Sequence, residues 1–151
     1  MTDLKRILLA EDNENDIEIT MAALEANRLA NEVVVVRDGA EALNYLQRRG
    51  AYAERPDGNP AVVLLDIKMP KVDGLEVLRK MRADQRLRNV PVVMLTSSRE
   101  ESDILASYEH HVNAYVVKPV GFQEFVGAVK SLGLFWAVLN EPPPGSVKNR
   151  A

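Results

Sequence analysis

The chain has 151 residues, 46% of them hydrophobic and 27% charged, with 19 Lys and Arg against 22 Asp and Glu for a formal net charge of −3. That length gives one domain, and the two fractions are those of a folded globular chain rather than a disordered tail. The mildly acidic balance argues against nucleic acid as a partner, and with no Cys and only two His, at His110 and His111, disulfides, Cys–zinc sites, thiol catalysis and a His-rich metal cage are excluded.

The first apolar run, 7–10, is cut short by the acidic stretch 11–16, so it is too short for a secretory signal. No segment reaches the ~20 apolar residues of a membrane span. The expected location is the cytoplasm, with no membrane partner. Asn13 followed by Asp16 reads as the cap of a first helix. The second run, 33–36, is four valines, a β-branched composition that favours strand over buried helix. Asp38 followed by Glu41 starts a second helix, with Gly39 just inside, where a tight turn is expected. From 48 to 60 runs a polar stretch with Gly50, Pro56, Gly58 and Pro60, long for a helix-to-strand connection.

The third run, 61–65, leads into Asp66. Asp73 followed by Glu76, with Gly74 inside, starts a third helix whose apolar stripe is Leu75, Leu78 and Met81 or Arg82. The fourth run, 90–95, ends at Thr96-Ser97, and Ser98 with Glu101 caps a helical stretch at about 99–110. Its few apolar residues, Ile104, Leu105 and Tyr108, make it the most loosely held of the set. The fifth run, 114–117, precedes Lys118-Pro119 and a helix with the stripe Phe122, Phe125, Val126, Val129 and Leu132. An apolar patch at 134–139 carries the single Trp136, and Pro142-Pro143-Pro144 ends any helix.

Nearly continuous apolar runs belong to strands covered on both faces, and their alternation with helices predicts an α/β fold. The expected architecture is a five-stranded, doubly wound parallel sheet in (βα)5 order, with right-handed crossovers.

In such sheets the ligand site lies beyond the carboxyl ends of the strands, near the point where strand order reverses. Here the residues just past the runs are Glu11 and Asp12, Asp66, Thr96 and Ser97, and Lys118. Neither GxGxxG nor GxxxxGK[ST] occurs, and a loop opening with Glu-Asp repels phosphate, so dinucleotide, flavin and NTP binding are disfavoured. Two carboxylates about 4 Å apart repel by ~4 kcal/mol at an effective dielectric near 20. Either a proton is taken up or a cation sits between them. Oxygen ligands without His or Cys select a hard ion such as Mg2+, whose open positions hold phosphoryl oxygens. Asp66 is then placed as a nucleophile toward phosphorus, Lys118 as a partner for the same group and Thr96 as a hydrogen-bond donor to it. Singly each residue has a plainer role: Asp66 a turn residue, Glu11 and Asp12 solvated acids at a helix start, Lys118 a surface lysine, Thr96 a strand-end hydroxyl and Tyr115 a half-buried core aromatic. Their occurrence together at four strand ends outweighs those readings.

Glu11-Asp12, Asp66 with Met69-Pro70 and Asp73-Gly74, Thr96-Ser97, and Tyr115 with Lys118-Pro119 together resemble the receiver domain of two-component response regulators. The resemblance covers residues 5–133, leaving 134–151 as a C-terminal extension. It implies that Asp66 accepts the phosphoryl group, that Asp12 and Asp66 bind Mg2+, that Glu11 assists through water and that the backbone carbonyl of Lys68 completes the protein ligands. It also implies a switch pair of Thr96 and Tyr115, a phosphoryl-oxygen contact from Lys118, a cis Lys118–Pro119 bond and a sensor histidine kinase as partner. The helical stretch at 99–110 and the fifth strand would carry the conformational response. Glu11 departs from the commoner Asp. The long 48–60 loop, Phe135-Trp136 and the proline triplet resemble the stand-alone regulators paired with bacterial phytochromes.

Two further readings compete. An aspartate-nucleophile phosphohydrolase needs an acid or base two residues past the nucleophile, where this chain has Lys68. A scaffold that has lost phosphoryl chemistry would not need Asp12, Asp66, Thr96 and Lys118 together. With no effector domain expected after the receiver, the signal leaves through protein contact. Leu134, Phe135, Trp136, Val138 and Leu139 are read as a homodimer surface, with fold-back onto the core as the alternative.

Overall fold

The structure, a computed structural model, describes residues 6–25, 32–56, 58–97 and 114–131. In chain order it holds β1 (Arg6–Ala10), α1 (Glu14–Glu25), β2 (Glu32–Val36), α2 (Gly39–Gln47), a short 3-10 turn (Gly50–Tyr52), β3 (Val62–Asp66), α3 (Gly74–Ala83), β4 (Val92–Thr96), β5 (Ala114–Val117) and α4 (Phe122–Ser131). The expected helical stretch at 99–110 and the segment 134–139 lie outside the described residues.

The five strands form one sheet in the order β2-β1-β3-β4-β5, and every neighbouring pair is parallel. This is the doubly wound architecture expected from the apolar runs. Strands β1, β3 and β4 are buried at every position, which is why their sequences read as continuous rather than alternating. Successive side chains still take opposite faces. Leu8, Ala10, Val63, Leu65, Val92 and Met94 pack with α2 and α3, whereas Ile7, Leu9, Val62, Leu64, Val93 and Leu95 pack with α1 and α4.

The helix caps follow their sequence signatures. Asn13 Oδ1 accepts from the Asp16 amide at 2.9 Å, Asp38 Oδ1 from Glu41 at 2.7 Å and Asp73 Oδ1 from Glu76 at 2.9 Å, each satisfying an otherwise orphaned N–H of a first turn. The cap at Ser98 lies outside the described residues. Val77, fully buried in α3, was absent from the expected stripe, while Leu75 is only partly buried. Residues 90 and 91 fall outside β4. In the last helix Phe125 is fully buried.

Gly39 and Gly74 correct the tight-turn expectation, since neither is among the residues with positive φ. Their requirement is close approach instead. A Cβ on Gly39 would lie 1.8 Å from the Val72 carbonyl oxygen, and one on Gly74 2.1 Å from that of Asp66. The described residues of the 48–60 stretch are held by specific contacts: Arg48 takes the left-handed conformation at the end of α2, and the Arg55 guanidinium lies 4.3 Å from the Tyr45 ring centroid while donating to the Tyr45 and Gly58 carbonyls.

Candidate functional site

The chain runs outward from β1 on one side, to β2, and from β3 on the other, to β4 and β5, so strand order reverses between β1 and β3. At that point loops leave in opposite directions and open a crevice at the carboxyl ends. Ala10 pairs with Leu65 in the β1–β3 register. Glu11 therefore stands next to Asp66, one step on. Glu11 and Thr96 are fully buried and Asp66 nearly so, at 5% exposure, whereas Asp12 is exposed at the rim.

One oxygen from each of Glu11, Asp12 and Asp66 falls within 4.8 Å of the others. Three carboxylates with no His or Cys, two of them buried and one reaching water, fit a hard divalent cation that keeps part of its hydration shell. Lys68 is exposed, two residues past Asp66 in the connection to α3.

Lys118 enters from the end of β5. Its amide donates to the Thr96 carbonyl at 2.7 Å, and its Nζ lies 3.1 Å from Glu11 Oε1, 3.0 Å from Asp16 Oδ2 and 3.2 Å from Asp66 Oδ1. Burial and then the neighbouring Glu11 charge push the Asp66 carboxyl up to about 7, with Lys118 acting in the opposite direction. Burial works against the Lys118 ammonium, but the hydrogen bonds it donates to Asp16 and Glu11 and the charge of Asp66 outweigh it and hold the group above its usual range. The Lys118–Pro119 bond is cis.

Tyr115 is 52% exposed, which corrects its reading as a half-buried core aromatic. It alternates with the buried Val116 along the edge strand β5, so its ring lies on the exposed side. Asp16 was missed as a site residue because its place three after Asn13 marked it as a capping acid. The available signal was its place in the first turn of α1, which starts just past the carboxyl end of β1 where Glu11 and Asp12 stand.

The chain matches the response regulator receiver domain over residues 7–130. It belongs to that family. The receiver resembles the bacteriophytochrome response regulator RtBRR, with 63% identity, a TM-score of 0.84 and coverage of 97% of this chain and 87% of that one. It is 38% identical over 132 residues to response regulator Rcp1 of Synechocystis sp., covering 87% of this chain and 88% of the relative. A solved structure of Rcp1 is the Mn2+-bound form, at 34% identity and TM-score 0.70 over 97% of this chain and 99% of that one. The phosphorylated cyanobacterial phytochrome response regulator RcpA is similar at 38% identity and TM-score 0.71, again over 97% and 99%. No helix among the described residues is long and apolar enough to cross a membrane.

Proposed function

We propose that this receiver accepts a phosphoryl group on Asp66 from a phosphohistidine of a sensor histidine kinase of the phytochrome photoreceptor type. The observation that carries the reading is a buried Asp66 whose Oδ1 sits 3.2 Å from Lys118 Nζ and which shares a 4.8 Å cluster with Glu11 and Asp12. The photoreceptor pairing is supported by the 63% identity to a bacteriophytochrome response regulator, and the phosphorylated state by its relative RcpA.

In the transfer an Asp66 Oδ forms the new O–P bond as the N–P bond to the kinase imidazole breaks, and the imidazole leaves with a proton taken up from solvent. Glu11, Asp12, Asp66 and the Lys68 carbonyl are the residues that would hold Mg2+, which when bound offsets negative charge on the phosphoryl oxygens. Lys118 donates to a phosphoryl oxygen, so the chain contributes mainly position and fixed charge. Thr96, at the end of β4, donates its hydroxyl to the product, and Tyr115 turns inward from its exposed position on β5 into the space this opens. The helical stretch at 99–110 moves with β5. The receiver unit spans 5–133, and the extension 134–151 joins two copies through Leu134, Phe135, Trp136, Val138 and Leu139. The protein acts in the cytoplasm.

The test is intact-protein mass spectrometry after incubation with Mg2+ and acetyl phosphate. One phosphoryl adduct is expected on the wild type and none on Asp66→Asn. Absence of an adduct with every donor would make the chain a scaffold, and repeated turnover of simple phosphate esters would make it a phosphohydrolase.

A further inference from the structure

Among the described residues, Asp16 is the one carboxylate bonded to Lys118 that stands outside the Glu11, Asp12 and Asp66 cluster. Its backbone is fixed by the first turn of α1, where the Asp16 amide donates to Asn13 Oδ1 at 2.9 Å and the Ile17 amide to the Asn13 carbonyl at 2.9 Å. An acid at this position ordinarily turns back to the cap residue's own amide. Here the Asn13 amide donates instead to Glu11 Oε2, at 3.2 Å. The longer arm of Glu11 thus reaches two targets, that amide with one oxygen and Lys118 Nζ with the other. Asp16 is released from capping and its Oδ2 takes a bond from Lys118 Nζ at 3.0 Å.

An ammonium has three N–H donors, and among the described residues Lys118 Nζ has three carboxylate neighbours, Glu11, Asp16 and Asp66. Two of these do not react. We propose that Asp16 is a positioning residue for phosphoryl transfer: with Glu11 it holds the Lys118 ammonium as a tripod whose third N–H is aimed at the reacting carboxylate. When Asp66 becomes an acyl phosphate, only that third donor changes partner, from a carboxylate oxygen to a phosphoryl oxygen. Asp16 is not a member of the three-carboxylate cluster. It acts through Lys118, whose flexible four-carbon stem would otherwise have to be ordered during the transfer itself. This inference rests on the phosphoacceptor reading of Asp66.

A double-mutant cycle tests it, following adduct formation by intact mass with acetyl phosphate at saturating Mg2+. Asp16→Ala is expected to slow the wild type about tenfold, which at 1.36 kcal/mol per tenfold is the size of one charge-assisted hydrogen bond. In a Lys118→Met background Asp16→Ala is expected to change nothing further. Asp16→Glu, which keeps the charge, should recover most of the rate. Equal slowing in both backgrounds, or an unchanged rate in the wild type, would overturn the positioning role while leaving Asp66 as acceptor. A wild type that forms no adduct would instead bring down the acceptor reading itself.

Discussion

At the scale of single residues, the pocket holds a tension that folding creates. Asp66 is shielded from water and faces the Glu11 carboxylate, so its carboxyl is pushed up to about 7 while the same group in the unfolded chain titrates near 4. The proton is bound more tightly in the folded state. Its contribution to stability is therefore complete below about pH 4 and is lost as pH rises through about 7. In chelator, the melting temperature of Asp66→Asn should exceed that of the wild type by a margin that grows from pH 5 to pH 8, because the amide cannot ionise. Parallel melting curves across that range would show that Asp66 ionises freely. The tension is also what a phosphoacceptor uses: a carboxylate poorly satisfied by its surroundings gains most when a cation or a phosphoryl group arrives.

At the scale of elements, helix starts position the chemistry. The α3 N-terminus lies against the end of β3, where the Gly74 amide donates to the Ile67 carbonyl at 2.7 Å, and a Cβ at Gly74 would sit 2.1 Å from the Asp66 carbonyl oxygen. Gly74→Ala should cost about 2–3 kcal/mol, an overpacking penalty, and should slow phosphorylation by displacing Asp66, the proposed acceptor. Gly127, inside α4, has nothing within 4 Å of a built Cβ. Gly127→Ala should stabilise by about 0.5–1 kcal/mol through helix propensity alone. Urea denaturation of both variants measures the two effects, and equal shifts would contradict the close approach at Gly74. The glycines looked alike in the sequence, each near or in a helix. Their surroundings separate them.

At the scale of the whole molecule, the proposal that residues 134–151 join two copies makes a prediction of its own. Phe135 and Trp136 stand among Leu134, Val138 and Leu139 in a chain with 5% aromatic residues overall, and clustered aromatics anchor interfaces. Light scattering should find the full chain dimeric and a variant with Phe135→Asp and Trp136→Asp monomeric. An unchanged mass would place the patch against its own core instead. The architecture itself was legible before any coordinates, because four valines at 33–36, covered strands at 7–10 and 61–65, and caps at Asn13, Asp38 and Asp73 are all local signals. Other features were not: Val77 escaped its stripe, Tyr115 was read as core, the close approaches at Gly39 and Gly74 were read as tight turns, and Asp16 was hidden behind a capping role that Glu11 fills.

Sequence by itself determined the alternation of strands and helices and the residue types at the strand ends, since periodicity, β-branching and caps act over a few residues. It also made the site nameable, because Glu11-Asp12, Asp66, Thr96 and Lys118 each stand at or just past the end of a readable strand. Only the tertiary structure decided that Asp16 meets Lys118 across 102 positions, that Asp66 is shielded and that Gly74 lies under its carbonyl. Those facts depend on strand order, register and burial, which arise when distant segments pack together and are written in no single stretch of chain.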